Sequence, residues 1–332
     1  MAVQDTGKQS GPGIVARLLK SRELSVVAVL ALLCLGMAFT EQRANFFGPL
    51  NMTNIVQQVA LLSLFAIGET IVIITSGIDL SLGSIIAFAG MLVALFVTKF
   101  SVGLVAGPAA LLAILITLLC ALAIGLLHAT LIHKLKLPPF VVTLAALLVL
   151  RSQSLIVNKQ LPISLSDYPL ITDLSKGWPL WTMLVVVAVV VHILLTRTRI
   201  GRYLYALGGN EQATRLSGVN IFKIKLFAYG VSALLGGLAG ILWAGYGRQG
   251  NPQLGQGYEL DAVAAAVVGG ASLTGGRGSV PGTILGATLV ITILSAINFT
   301  FSNPDIWRGT VVGCVLLFAV LVTALQQKGG HE

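Results

Sequence analysis

Ten long apolar runs dominate this chain, at residues 24–40, 55–76, 82–98, 103–127, 139–157, 179–196, 222–245, 260–274, 281–300 and 307–325. A hydrocarbon core about 30 Å thick takes roughly 20 helical residues to cross. Backbone groups inside it must be satisfied within the segment, which favours helices. The pattern therefore predicts an all-α polytopic membrane protein with about ten transmembrane helices. The eighth run is short and flanked by glycine, so it is expected as a re-entrant or broken helix rather than a full crossing. The first run follows Lys20 and Arg22, as a signal peptide would. Nine more runs come after it with no soluble domain, so an uncleaved first span is expected.

Composition narrows the class further. Of 332 residues, 56% are hydrophobic and 10% charged, and the mean hydropathy is +0.92. Soluble domains carry about 25% charged residues, so a water-soluble enzyme is excluded. The net charge of +9 is spread over short loops and does not line one face. It reads as topology, not as a nucleic-acid surface. Fourteen lysines and arginines fall on one side of the spans, among them Lys8, Arg17, Lys134, Arg202 and Lys328, against six on the other. That asymmetry predicts cytoplasmic N- and C-termini. The expected layout is a cytoplasmic tail (1–22), a permease domain (23–326) with a cytoplasmic loop at 197–221 and an external loop at 158–178, and a second tail (327–332). Cys34, Cys120 and Cys314 lie in apolar runs without ligand spacing and read as small buried hydrophobes.

One polar, basic stretch, 196–225, interrupts the apolar pattern. Asn210 is a good N-cap. Glu211 then sits at the positive end of the helix dipole and Arg215 nearer the negative end, and Gly218 suits a left-handed C-terminal position. The segment Asn210, Glu211, Gln212, Ala213, Thr214, Arg215, Leu216, Ser217 and Gly218 is thus expected to form a helix of about two turns, too short to stand alone. It is either an ordinary surface helix or a docking element.

Two glycine-rich runs resemble each other: 76–84, containing Gly77, Asp79, Ser81 and Gly83, and 269–278, ending Gly275-Gly276-Arg277-Gly278. Each precedes a span rich in small residues, which suggests an internal duplication. Asp79 or Ser81 is expected to cap the helix that follows. Neither run continues into Gly-Lys-Ser/Thr, so neither is a phosphate loop. Ionisable residues at membrane depth are costly and face a polar interior or a partner. Glu69 lies ten residues before Asp79, which on one continuous helix places it about 15 Å away, near the midplane. Glu69, Asp79, Arg151 and Asn298 are the candidates for a translocation path, with Gln57, Gln58, Thr70 and Thr292 as further polar groups. Glu69 and Arg151 are candidates to pair. His128, His133 and His192 stand near span ends and read as solvated or backbone-bonded.

The run 76–84, the loop 198–218 and the stretch from Gly257-Tyr258-Glu259-Leu260-Asp261 to Gly282 together resemble the ribose-type permease subunits of bacterial ABC sugar importers. The resemblance runs from about residue 45 to near the end, in matching order, and the middle loop is its most specific part. Asp79 and Arg151 match that family's pattern, whereas Glu69 departs from the ribose-type permease, which has an apolar residue there, so its role is not inherited from the resemblance. The resemblance implies a non-enzymatic inner-membrane permease that imports a monosaccharide by alternating access. Its partners would be an ATP-binding subunit carrying ATP and magnesium, a periplasmic or lipid-anchored sugar-binding protein, and a second permease copy. The ATPase groove would receive the helix from Asn210 to Gly218. Two alternatives stay open: an ion-coupled secondary transporter using Glu69 and Arg151 as a relay, and an ABC permease for nucleosides or branched-chain amino acids.

Overall fold

A computed structural model describes residues 22–103 and 105–328. Nearly all of the two expected tails lies outside the described residues. In order, the chain forms α1 (Arg22–Ala38), α2 (Arg43–Phe46), α3 (Pro49–Ile74), α4 (Leu82–Phe100), α5 (Ala106–Lys134) and α6 (Pro139–Val157). Then come α7 (Pro169–Leu174), α8 (Gly177–Arg197), α9 (Arg199–Gly209), α10 (Glu211–Leu216) and α11 (Ile221–Tyr246). The chain closes with α12 (Tyr258–Val268), α13 (Val280–Thr300) and α14 (Pro304–Lys328). A short ribbon pairs β1 (Ile163–Ser164) antiparallel with β2 (Gln249–Gly250), tying the 158–178 loop to the end of α11. Among the described residues seven helices are long and apolar enough to cross a membrane: α3, α4, α5, α6, α8, α11 and α13. The protein is an all-α polytopic membrane protein.

Helix ends depart from the apolar runs for local reasons. Helix α3 begins at Pro49, whose fixed φ suits the first helical position, and not at residue 55. It stops at Ile74 because the Thr75 hydroxyl bonds the Val72 carbonyl (2.7 Å) and Ser76 turns left-handed (φ 62°). Helix α5 continues past 127 to Lys134, with Thr130 bonding back to the Leu126 carbonyl. Residues 260–274 are not one helix. Helix α12 has 11 residues, about 16 Å at 1.5 Å each, and glycine turns follow it.

Helix α3 is the centre of the bundle. In its most apolar stretch 89% of residues are buried, against 22% for α6 and for α8. Leu61, Leu64, Ile67, Ile71 and Ile74 form one core cluster with Leu180, Leu184 and Leu195 of α8 and Ala228 and Leu235 of α11. Helix α11 packs closely on its neighbours through small residues. At Gly125 of α5 an added Cβ would stand 2.3 Å from the Tyr229 carbonyl, so only glycine fits there. Apolar side chains of α5, α6 and α8, such as Leu115, Leu148 and Val186, are exposed, as a surface set in lipid requires. The cysteines correct the sequence expectation: Cys314 is exposed, and Cys34 and Cys120 are half-buried. An apolar side chain in lipid need not be covered by protein.

Apart from β2, residues 247–257 run as irregular backbone along α4. An added Cβ at Gly250 would meet the Gly90 carbonyl at 2.7 Å, and one at Gly255 the Gly83 carbonyl at 2.4 Å. Non-helical backbone at membrane depth is tolerated where protein buries it. This segment and α12 together form a broken element, half loop and half helix.

Candidate functional site

The loop at 198–220 folds as two capped helices. Thr198 caps α9, accepting from the Gly201 amide at 3.1 Å. Asn210 caps α10, its Oδ1 accepting from the Ala213 amide at 2.9 Å. Gly218 takes φ 80°, as the helix stop required. Glu211 accepts from Arg215 at 2.9 Å and from Lys225 of α11 at 3.0 Å. Burial pushes its carboxyl up, but the hydrogen bonds and charges of Lys225 and Arg215 outweigh that and hold it below the ordinary value. The Lys225 tie is therefore complete at neutral pH and is lost only as pH falls below the usual carboxylate range. Gln212, Ala213 and Arg215 of α10, and Ser217 just after it, are exposed. Leu216 is 87% exposed. Thr214 alone is buried, its hydroxyl on the Asn210 carbonyl.

The base of this loop is fixed to both glycine-rich runs. The Ser76 hydroxyl reaches the carbonyls of Gly208 (3.1 Å) and Thr274 (2.9 Å). The Gly276 amide donates to the Ile74 carbonyl at 2.9 Å, and the Tyr205 hydroxyl to the Gly278 carbonyl at 2.8 Å. Three segments far apart in sequence thus meet at one end of the bundle. A cleft of about 1050 Å³ lies beside them, lined by Gln212, Leu216, Lys225, Pro138, Gly77 and Tyr229.

The interior corrects several sequence expectations. The chain does not continue as a helix from Glu69 to Asp79. It turns back at Ser76, so the Asp79 amide donates to Glu69 Oε1 at 3.1 Å. The two acids are neighbours, and both are fully buried. Asp79 also accepts from the Ser81 amide (3.0 Å), the Ser81 hydroxyl and the Ser232 hydroxyl (3.3 Å). Ser81 occupies the N-cap position of α4, yet its hydroxyl serves Asp79 and makes no cap bond to the helix. Ser232, Tyr229 and His128 were not legible as part of this region. Tyr229 and His128 are buried, and the Tyr229 hydroxyl and His128 Nδ1 lack a hydrogen-bond partner among the described residues. His128 is therefore neither solvated nor backbone-bonded through Nδ1. His133 stacks on Phe222 with ring centroids 5.2 Å apart.

Glu69 and Arg151 do not pair. Arg151 donates to the carbonyls of Leu254 (2.5 Å) and Pro252 (3.4 Å), supplying donors to irregular backbone that has no ladder of its own. Asn298 stands elsewhere again, in a recess with Gln58, Trp243 and Tyr258. The Glu69 contact carries a prediction. Glu69→Gln keeps an acceptor for the Asp79 amide, whereas Glu69→Leu strands it at a cost of about 1–3 kcal/mol. In detergent, Glu69→Leu should melt well below wild type and Glu69→Gln close to it. Equal melting temperatures for the two variants would show that this hydrogen bond contributes nothing.

The relatives of the sequence are membrane transport proteins. The family described as branched-chain amino acid transport system / permease component matches residues 51–320. The ribose import permease protein RbsC of Escherichia coli (strain K12) is 37% identical over 311 residues, covering 90% of this chain and 94% of that protein. Its namesake in Bacillus subtilis (strain 168) is 36% identical over 285 residues, covering 84% and 86%. The fructose import permease protein FrcC of Rhizobium meliloti is 32% identical over 315 residues, covering 90% and 83%. No solved structure matches. The chain belongs to this family of transport-system permease components.

Proposed function

We propose that the chain is the permease subunit of an ATP-driven importer that carries a ribose-like monosaccharide across the bacterial inner membrane. Relatives named for ribose and fructose import support the sugar, although the family description names branched-chain amino acids. The observation that carries the coupling mechanism is the tip of α10. A capped helix presents Leu216, 87% exposed, beside polar neighbours, while α9 just before it is hydrogen-bonded to the loops entering α4 and α13. An exposed leucine framed by polar groups suits the central contact of a protein interface.

On this reading residues 197–221 are the coupling loop and 210–218 the part that enters a groove of a separate ATPase subunit, where ATP and magnesium bind. Closure of two such subunits moves the helices together, and the attached loops carry the motion to Ser76, Asp79 and Thr274. A second permease copy completes the path. A sugar-binding protein, periplasmic or lipid-anchored, meets the 158–178 loop and its ribbon on the other face. The ten crossings are the seven long helices, α1, α14, and the broken element 247–268. The side-by-side loops before α4 and α13 support an internal duplication. The permease performs no covalent chemistry.

Orientation is the first test, because α10 can meet a cytoplasmic motor only from the cytoplasmic face. In intact cells a cysteine at Gln212 should resist an impermeant thiol reagent until the membrane is opened, and one at Tyr168 should react at once. The reverse pattern contradicts the coupling mechanism.

A further inference from the structure

Two carboxyl groups meet at the turn between α3 and α4, and no cation meets them. Glu69 accepts from the Asp79 amide at 3.1 Å, and both side chains are 0% exposed. Among the described residues the salt bridges are those of Glu211 and Asp261, so neither acid of the turn has one. The other titratable groups near the pair are Tyr229 of α11 and His128 of α5, both buried and both within electrostatic reach of Asp79. A buried carboxylate without a cation is costly. Two side by side cost more, because like charges repel where little solvent screens them.

Hydrogen bonds distinguish the two acids. Asp79 accepts from the Ser81 amide (3.0 Å), the Ser81 hydroxyl and the Ser232 hydroxyl (3.3 Å). Donors in that number favour the ionised form of a carboxyl group. Glu69 accepts through Oε1, whereas its Oε2 is buried and has no partner among the described residues. An ionised oxygen left in that state is expensive, and a proton turns the same atom into a donor. A buried hydroxyl faces this turn. Tyr229 Oη has no partner either, and a Cβ on Gly77 would collide with it. Ser232 follows Tyr229 by three residues on the same face of α11, and it already bonds Asp79. His128 is the rival for the proton. Its Nδ1 also lacks a partner, so an imidazolium would bury a charged N–H with nothing to accept it.

We propose that Glu69 and Asp79 bind one proton between them, carried on Glu69 Oε2, so that the pair holds a single negative charge, on Asp79. Neither side chain adjoins space that a water molecule can reach, so the ligand is one that needs no room, and a proton needs none. The charge that remains is the one the two serines hold. It lies in the same turn as Ser76, which is tied to Gly208 and Thr274. The proton thus keeps a second charge out of the turn that joins α3, α4 and the loop at 198–220.

The test is infrared spectroscopy of the full-length permease in lipid nanodiscs at neutral pH. A protonated carboxyl group has a C=O stretching band apart from the bands of carboxylates. Wild type minus Glu69→Gln should contain one such band. In the wild-type chain, glutamate carrying ¹³C in its side-chain carboxyl should move that band to lower frequency, and labelled aspartate should leave it in place. Should Glu69→Gln fail to fold, the labelled wild type decides alone. A difference spectrum made only of carboxylate bands shows Glu69 ionised and overturns the proposal, wherever else the proton sits. A band that moves with labelled aspartate and not with labelled glutamate puts the proton on an aspartate and overturns it as well.

Discussion

Leu216→Asp should abolish ATP-driven uptake while leaving the bundle inserted and folded. The side chain is 87% exposed, so its replacement removes nothing from the core. Burying a leucine at an interface is worth about 1.5–3 kcal/mol, and seating a carboxylate in the same place adds a desolvation cost. Binding weakened by that combined amount falls by a factor on the order of a hundred or more. The measurement is recovery of the ATPase subunit on purification, together with uptake. Normal recovery and uptake would reduce α10 to an ordinary surface helix. Charge reversal, Glu211→Lys with Arg215→Glu, is a less clean probe. Glu211 also holds Lys225 of α11, so the double variant sets two lysines against each other and detaches α10 at its root. Its loss of uptake is expected but mixes docking with local folding.

The second large effect is expected at Gly208. A Cβ there would stand 1.8 Å from the Ile74 carbonyl and 2.5 Å from the Gly276 amide. Both neighbours are backbone, so the junction of the three segments must open. Such overpacking costs typically about 1–3 kcal/mol and occasionally more. Gly208→Ala should lower the melting temperature in detergent and uncouple ATP hydrolysis from uptake. Gly209→Ala is the control one residue away, because a Cβ at Gly209 meets nothing within 4 Å. It should behave as wild type. Equal behaviour of the two variants would mean that the junction is not tightly packed in the membrane.

What the sequence revealed depends on how far each signal reaches along the chain. Helix α10 was legible because its cap, dipole charges and left-handed stop all lie between Asn210 and Gly218. The long spans were legible because hydropathy is a local sum, and the short eighth run betrayed itself by its length and its glycines. The ends were less legible, since one hydroxyl decides them, as at Thr75. The buried contacts were not. The reading of Glu69 assumed an unbroken helix to Asp79, and a single left-handed residue, Ser76, reverses the chain. Arg151 finds its acceptors a hundred residues away, at Pro252 and Leu254. No periodicity announces that Ser76, Gly208 and Thr274 will meet. The glycine runs marked the places where backbones approach, but not which backbones.

The central claim is that this permease moves sugar only when a separate ATPase drives it. The direct measurement is ribose accumulation by sealed vesicles holding the permease, its ATPase subunit and its binding protein. Uptake should require ATP on the side that carries α10, and should vanish when the ATPase is left out, whatever proton or sodium gradient is imposed. Accumulation by the permease alone under an ion gradient would contradict the account and make the buried pair Glu69 and Asp79 the place to look for the coupling ion.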